Sequence, residues 1–404
     1  MHRSARVVSF VLLLAALPVL VRSKVRRADK AALIHFYKLL GGPYWTKNDG
    51  WDVDGGGDPC DSYSSWYGVR CDDPCNEMWD GPDCKFGRIT VISLFDNNLT
   101  GSMTNWTGIG DLHNLSLLDL SLNSISGSIP AEIGNVNNLE VLNLAWNQLD
   151  GDVPTTLGDL NSNGAASMDQ LSLEWNRLHG TLPSGLGRYS RLSMFNIGRN
   201  SISGSLPPEL TNLTELQVLY AGNNFLTGVL PEEIGKMKSI RYLNVSGNNI
   251  SGTLPSSIGE IRDILDLAAF QNRISGSLPT ELGNLATLRH LRLQNNELDG
   301  NLSKFSTLGN LRRLMTLDLY DNKMTGDLPA GIQNLTSLQY LYVDNKHYKL
   351  LRNYYCRQRL PDNGKYNYRI VRDMYYEMAN AYCENPYDTN FAFNSLQVSK
   401  AYPD

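Results

Sequence analysis

The thirteen residues LNVSGNNISGTLP, at Leu243–Pro255, are one copy of a pattern that repeats every 24 residues through Leu192–Pro279. In each copy an asparagine has apolar residues five and three positions before it and two positions after it. These asparagines are Asn200, Asn224, Asn248 and Asn272. A unit this short cannot bury its apolar side chains alone and must stack on copies of itself. The period therefore predicts a solenoid.

The same register extends well beyond this block and defines ten regular repeats within residues 88–346. Their asparagines are Asn97, Asn123, Asn147, Asn176, Asn200, Asn224, Asn248, Asn272, Asn296 and Asn322. A degenerate eleventh copy has Lys346 at this position. Because an amide both donates and accepts, we expect each asparagine to pair backbone groups that the turn would otherwise leave buried and unpaired.

The N-terminus has the pattern of a secretory signal. Arg3 and Arg6 precede an apolar run at Val7–Val21, which is shorter than the ~20 residues that a membrane span needs. We therefore predict a signal peptide at residues 1–23 and a secreted, extracellular protein; an uncleaved membrane anchor is the alternative. With 36 basic and 41 acidic residues, the chain is too evenly charged to predict nucleic-acid binding.

All six cysteines lie outside the repeats: Cys60, Cys71, Cys75, Cys84, Cys356 and Cys383. An oxidising compartment would let them staple the two ends of the solenoid, where the stack has only one neighbour to pack against. We predict the pairs Cys60–Cys71, Cys75–Cys84 and Cys356–Cys383, although the sequence alone does not prove the pairing. A zinc site is the alternative for these residues.

Secretion would also make the Asn-x-Ser/Thr triplets candidate glycosylation sites. The triplets begin at Asn98, Asn105, Asn114, Asn212, Asn244, Asn249, Asn301 and Asn334.

Residues 24–87 are predicted to form an N-terminal cap. Apolar residues recur at helical spacing from Ala28 to Leu40, with Asp29 as a possible N-cap, and Gly41-Gly42-Pro43 would end this helix. Tryptophans and the first cysteines follow. A helix, aromatic side chains and a small disulfide loop are suited to cover the exposed apolar edge of the first repeat.

The cap carries a family resemblance. Asp58-Pro59-Cys60 with Trp66-x-Gly68-Val69-x-Cys71, and the repeat form Leu-x-x-Asn-x-Leu-x-Gly-x-Leu/Ile-Pro, resemble plant-type extracellular leucine-rich-repeat proteins. That group includes receptor-like kinase ectodomains and polygalacturonase-inhibiting proteins, and the resemblance covers residue 29 to about residue 346. It implies an α/β solenoid, a right-handed leucine-rich-repeat superhelix with a concave parallel β-sheet and disulfide-stapled N- and C-terminal caps.

The chain departs from the family pattern at Gly41–Trp45, at the Cys75–Cys84 loop and after residue 346. The tail, residues 347–404, is rich in tyrosine and begins basic. We interpret it as a C-terminal cap, and the alternative is a contact site for an acidic partner.

Nothing in the sequence predicts catalysis, a cofactor or a metal. The histidines are scattered over unrelated repeat positions, and no nucleophile elbow, phosphate loop or recurring metal-ligand spacing is present. Asp52-x-Asp54 and Asp58 resemble the start of a calcium loop but lack its distal glutamate. A plain acidic turn is the simpler interpretation.

Binding is better supported, because residues between the core leucines of each strand point outward. In the N-terminal half these residues are Asp119, Asn143, Trp146, Glu174, Trp175, Arg199 and Tyr220. A second, more acidic patch includes Arg292, Asp318, Tyr320, Asp321 and Tyr342. Trp146 and Trp175 are either an interface anchor or a pair that stacks to cover the sheet edge.

We therefore expect a recognition protein that binds an extracellular protein, or a surface glycan, through its concave face, in signalling, adhesion or defence. The family resemblance implies a narrower alternative, an inhibitor of secreted polysaccharide-degrading enzymes such as polygalacturonase.

Overall fold

The computed structural model describes residues 25–54, 57–60, 65–72, 87–158 and 168–343. The predicted signal peptide, the cysteines Cys75, Cys84, Cys356 and Cys383, and residues 344–404 lie outside this part of the chain.

The described chain begins with helix α1 (Arg27–Leu39). The strands, in chain order, are β1 (Val69–Cys71), β2 (Ile89–Ser93), β3 (Thr100–Ser102), β4 (Leu117–Asp119), β5 (Ser124–Ser128), β6 (Val141–Asn143), β7 (Gln148–Asp150), β8 (Gln170–Ser172), β9 (Met194–Asn196), β10 (Ser203–Ser205), β11 (Val218–Tyr220), β12 (Phe225–Thr227), β13 (Tyr242–Asn244), β14 (Asp266–Ala268), β15 (Ser275–Gly276), β16 (His290–Arg292), β17 (Glu297–Leu298), β18 (Thr316–Asp318) and β19 (Tyr340–Tyr342). Short 3₁₀ helices span Gly42–Tyr44, Thr107–Asp111, Ala131–Asn135, Thr155–Gly158, Ser184–Arg188, Pro208–Asn212, Ile234–Lys236, Ser256–Glu260, Thr280–Asn284, Leu302–Lys304, Ser306–Asn310 and Ala330–Asn334.

The concave sheet runs in the order β1-β2-β4-β6-β8-β9-β11-β13-β14-β16-β18-β19. The cap strand β1 is antiparallel to β2, and the later strands are all parallel. Equivalent repeat positions pair across the sheet, as in Leu219 with Leu243 and Leu243 with Leu267. The predicted solenoid, with one strand of the concave sheet from each repeat, is confirmed. Several repeats add a second short strand, and these form the smaller sheets β3-β5-β7, β10-β12 and β15-β17.

Each parallel strand of the concave sheet, from β2 onward, buries a large apolar residue at the same repeat position. These residues are Ile92, Leu118, Leu142, Leu171, Phe195, Leu219, Leu243, Leu267, Leu291, Leu317 and Leu341, and none is more than 5% exposed. Burying a side chain of this size contributes about 1.5–3 kcal/mol. Since each side chain packs against those of the adjoining repeats, the core is continuous from cap to last strand.

The asparagines form a hydrogen-bonded ladder beneath the sheet, as predicted. The Asn248 amide donates to the carbonyls of Ala221, Val245 and Ser246 at 3.0, 3.0 and 3.1 Å. Its oxygen accepts the Leu226 N–H at 2.9 Å. The amide therefore joins its own turn to the preceding repeat, which an apolar residue of similar size could not do.

The N-terminal cap closes the core with aromatic rings. Phe36 of α1 packs 4.5 Å from Trp106 of the first repeats, and the Trp106 indole N–H donates to the Ala32 carbonyl at 3.1 Å. The predicted Cys60–Cys71 disulfide is present, with its Cα atoms 5.6 Å apart. The Asp29 expectation was wrong: Arg26 is the N-cap residue, and Asp29 lies buried within the first turn.

Candidate functional site

The residue just before each ladder asparagine has an unusual backbone. In all ten regular repeats its φ lies between 48° and 62°, in the left-handed region. Aspartate, asparagine and glycine tolerate this region best, whereas it is strained for bulky side chains. Four of these positions nevertheless carry Leu122, Trp146, Trp175 and Arg199.

Hydrogen bonds between repeats hold this strained backbone in place. The N–H of Trp146 donates to the Glu174 carbonyl at 2.9 Å, and that of Trp175 donates to the Gly198 carbonyl at 3.0 Å. Arg199 does the same with the Gly222 carbonyl at 2.9 Å. Because the conformation recurs at the strand spacing of about 4.8 Å, consecutive side chains leave the backbone in register.

Three of these side chains form a stack. The rings of Trp146 and Trp175 lie 4.4 Å apart with 23° between their planes. The Arg199 guanidinium carbon lies 4.2 Å from the centre of the Trp175 ring, in cation–π geometry. The stack is nevertheless open to solvent, since Trp146 is 45% and Trp175 38% exposed. The two rings therefore stack on each other and still present an aromatic surface, and their role as an interface anchor stays a prediction.

Sequence reasoning missed the extension of this surface toward the cap. Leu122 is 50% exposed and Phe95 is 56% exposed, so large apolar side chains are open to solvent in four consecutive repeats. Leu122 occupies the same repeat position as Trp146, and that register was the signal that could have found it. We call Phe95, Leu122, Trp146, Trp175 and Arg199 the aromatic ridge.

The other predicted contact residues of this half are less available. The Asp119 carboxylate accepts the Ser121 N–H and hydroxyl at 3.0 and 2.7 Å, and the Asn143 amide oxygen accepts the Ala145 N–H at 3.2 Å. These bonds shape the turn after each strand. Glu174 and Tyr220 are half-buried. Burial, with Asp266 and Tyr242 nearby, raises the pKa of the Tyr220 hydroxyl.

The C-terminal patch needs a correction. Tyr320 and Tyr342 are 48% and 41% exposed, as predicted, but Asp318 is only 5% exposed. Its carboxylate accepts the Tyr320 N–H at 3.2 Å, the same turn bond that Asp119 makes. Adjacent strands press closely around this position, because Asp318 faces Arg292 on one side and Tyr342 on the other. Asp318 therefore lines the wall of the patch and is not the exposed residue that the sequence predicted.

The candidate glycosylation sites differ in exposure. The exposed asparagines are Asn98, Asn105, Asn212, Asn301 and Asn334, and the half-buried ones are Asn114, Asn244 and Asn249. Asn244 lies on β13 of the concave sheet, between the aromatic ridge and the C-terminal patch. Its oxygen accepts the Ser246 N–H at 3.0 Å. Whether any of these sites carries a glycan stays a prediction.

Across the described ranges, no group of three His, Cys, Asp or Glu side chains is placed to hold a metal ion. In the calcium-like segment the Asp58 carboxylate instead accepts the backbone N–H groups of Val25 and Cys60, at 3.0 and 2.9 Å. Nor does any helix in the described chain have both the length and the apolar character to span a bilayer.

Comparison with known sequences finds the Leucine Rich Repeat model at residues 114–136, 138–160, 215–237, 239–261 and 313–335. The chain is 32% identical over 125 residues to Protein STRUBBELIG-RECEPTOR FAMILY 2 of Arabidopsis thaliana. That alignment covers 31% of this chain and 14% of the relative. The chain thus matches a small part of the length of this receptor.

Among solved structures, the Arabidopsis receptor kinase HAESA ectodomain, in complex with an IDA peptide hormone ligand, superposes with a TM-score of 0.62 at 26% identity. The match covers 78% of this chain and 49% of that one. A TDR receptor matches with a TM-score of 0.54 at 29% identity, over 63% of this chain and 46% of that one. The repeats, the solenoid and these similarities together show a leucine-rich-repeat fold that is similar to the ectodomains of plant receptor kinases.

Proposed function

We propose that this chain is a secreted recognition module that binds a peptide or protein partner on its concave side, with the aromatic ridge as the anchor. The observation that carries the proposal is the exposed stack of Trp146, Trp175 and Arg199 on left-handed backbone. Tryptophan and arginine are the residue types that dominate the energetics of protein interfaces.

Strain strengthens this interpretation. A bulky residue in the left-handed region costs about 1–3 kcal/mol, and other repeats avoid the cost with Asn223, Asn295 or Gly247 at the same position. An exposed indole gains too little from burial in the free protein to offset that cost fully. A partner that covers the ridge would recover the missing burial.

The similar receptor structure supports a peptide as the partner. The HAESA ectodomain is solved with a peptide hormone ligand, and most of this chain matches that solenoid. From Trp175 to Tyr320 the concave sheet has six strand steps, about 29 Å at the usual spacing. An extended peptide of about nine residues would therefore reach from the aromatic ridge to the C-terminal patch.

A displayed peptide library tests the proposal directly, because random peptides sample the sequences that the concave face can bind. Random 12-residue peptides on phage are selected against the immobilised full chain, and enriched peptides are synthesised and titrated by fluorescence anisotropy. We expect enriched peptides to bind the double variant Trp146→Ala/Trp175→Ala at least about 100-fold more weakly, a loss of about 2.7 kcal/mol.

Phe225→Ala is the matched control, because Phe225 is 63% exposed but lies on β12, outside the concave sheet. It should leave peptide affinity unchanged. A library that yields no enriched sequence, or peptides that bind both variants as tightly as the parent chain, would contradict the proposal.

A further inference from the structure

Charged and polar side chains cluster on the concave strands of the C-terminal repeats, away from the aromatic ridge. Arg292 on β16 forms an ion pair through Nη2 with Asp266 on β14. In the sheet register Ala268, Arg292 and Asp318 are direct neighbours, and Asp266, His290 and Thr316 form the adjoining row. The cluster thus spans three consecutive repeats.

The only positive charge of this cluster, on Arg292, is neutralised by the carboxylate of Asp266. The His290 ring is 3.0 Å from the Thr316 hydroxyl through Nδ1. Burial lowers the pKa of His290, so the ring is neutral at neutral pH. Asp318 forms no salt bridge within the described residues, because its neighbour Arg292 is paired with Asp266 and acts on Asp318 only through its charge. An anionic ligand would therefore meet repulsion here.

Three buried polar atoms of the cluster lack partners within the described chain, and one of them, Arg292 Nε, is a donor. Gln294 is only 7% exposed, and its Oε1 accepts no hydrogen bond there. The Oδ1 atom of Asp266 is likewise buried and unpaired. Gln294 follows Arg292 by two residues and so shares its face of the strand. Asp266 Oδ1 and Arg292 Nε belong to the ion pair between those two residues. The Gln294 Oε1 acceptor is close in register to the Asp318 carboxylate, and a ligand that donates several hydrogen bonds would satisfy both groups.

Two exposed aromatic rings flank the carboxylate. Tyr342 is the register neighbour of Asp318 on β19, and Tyr320 follows Asp318 by two residues. Both are more than 40% exposed. Tyrosine faces attract cations, and the planar guanidinium group both stacks on such rings and donates several hydrogen bonds at once. The arrangement matches an arginine better than a compact ammonium group.

We propose that Asp318 and Gln294, with the rings of Tyr320 and Tyr342, bind an arginine side chain of the peptide partner. This inference rests on the proposed function and specifies its ligand. The aromatic ridge would anchor one end of the peptide, and this cluster would select a basic residue about nine positions away.

The cluster also predicts how binding depends on pH. Burial raises the pKa of Asp318 to about 6, against the opposing effects of the Tyr320 N–H and Arg292. Asp318 lies between Arg292 of β16 and Tyr342 of β19 in the sheet register, and His290 and Tyr340 are in the adjoining row. Tyr320 and Asp321 follow on its own segment. Below this pKa the carboxyl takes up a proton and loses its attraction for a cation. Arginine binding should therefore weaken as the solution is acidified.

The test titrates the full chain into two matched pools of fluorescein-labelled, C-terminally amidated peptides. Fluorescence anisotropy measures the affinity of each pool. One pool has a fixed central arginine among randomised positions, and the other has citrulline, which keeps the shape but removes the charge. We expect the arginine pool to bind at least about fivefold more tightly near pH 7.5, with the preference falling below about twofold near pH 5.

Two variants separate this site from general charge attraction. Asp318→Asn should abolish the arginine preference, whereas Glu297→Gln removes an exposed carboxylate that pairs with Lys323 and should leave it intact. Tyr320→Leu with Tyr342→Leu should reduce the preference about threefold, and this serves as the second variant if Asp318→Asn does not fold.

Each result is decisive. Equal binding of both pools overturns the arginine site, and so does a preference for arginine that survives Asp318→Asn. Neither result affects the ridge proposal, which the Trp146→Ala/Trp175→Ala variant tests separately. Binding of neither pool also overturns the arginine site. The phage selection then decides the proposed function independently.

Discussion

The aromatic ridge and the C-terminal cluster are built on the same backbone but use different repeat positions. The ridge uses mainly the left-handed residue before the ladder asparagine, where side chains such as Trp146 and Trp175 stand at the edge of the strand and stay exposed. The cluster uses positions within the strands, where neighbouring strands bury much of Asp318 and Gln294. The difference shows that one face of a solenoid can carry both an exposed apolar surface and a buried charged group. The two regions are about 29 Å apart along the sheet.

The asparagine ladder supports both regions, and its loss should have the largest effect. Asn248→Leu would leave the Ala221 carbonyl and the Leu226 N–H without a partner, whereas the carbonyls of Val245 and Ser246 keep their bonds from Asn272 and Asn223. Since each unpaired buried group costs about 1–3 kcal/mol, we expect a loss of about 2 kcal/mol or more in unfolding free energy. Urea denaturation followed by circular dichroism measures it. The exposed Asn284→Ala should change stability little, and equal midpoints for the two variants would refute the role of the ladder.

The ridge should dominate binding without supporting the fold. Trp146→Ala with Trp175→Ala is expected to weaken peptide binding about 100-fold, or about 2.7 kcal/mol, while the thermal midpoint stays within a few degrees of the parent. Anisotropy and differential scanning calorimetry report the two quantities. A large drop in the midpoint would mean that the stack is structural, and the contrast between the two regions would then fail.

Unlike the ridge, the cluster should affect the free energy of unfolding, because the buried charge of Asp318 destabilises the fold. The pKa of Asp318 is about 6 in the folded chain against 3.8 for an ordinary aspartate, which corresponds to a penalty of about 3 kcal/mol at most. In the unfolded chain the proton is lost at lower pH, so the penalty grows between about pH 4 and 6 and is constant above that. Asp318→Asn should therefore raise unfolding free energy near pH 7.5 and change it little near pH 3.5. A variant that destabilises the chain equally at both values would contradict this.

The smallest expected effects are changes in stability when glycine relieves the backbone strain of the ridge. Leu122→Gly should raise stability by about 1 kcal/mol, because glycine adopts positive φ without strain and the exposed leucine loses little burial. Trp146→Gly should be closer to neutral, since the relief is offset by the lost contact with Trp175, worth about 0.5–1.5 kcal/mol. Thermal melts of the two variants compare them directly. A larger gain for Trp146→Gly than for Leu122→Gly would show that the stack contributes nothing.

Much of the fold and part of the site could be predicted because the repeat fixes which positions face the core. The ladder, the concave strands and the exposure of Trp146, Trp175, Tyr320 and Tyr342 all follow from register. The Cys60–Cys71 pair lies outside the repeats and was predicted from the order of the cysteines in the cap. Asp318 was misplaced because register gives the direction of a side chain but not how closely the adjoining strands cover it. Leu122 and Phe95 were missed because leucine and phenylalanine are ordinary core residues in sequence.

By itself, the sequence determined the solenoid, since a 24-residue apolar period with an asparagine at a fixed position leaves stacking as the way to bury the repeats. Only the tertiary structure decided which variable residues meet. The stacking distance of Trp146 and Trp175, the pairing of Arg292 with Asp266 and the burial of Asp318 against Arg292 depend on contacts between residues at least 26 positions apart. Those contacts exist only when separate repeats lie side by side, and so no local pattern in the chain records them.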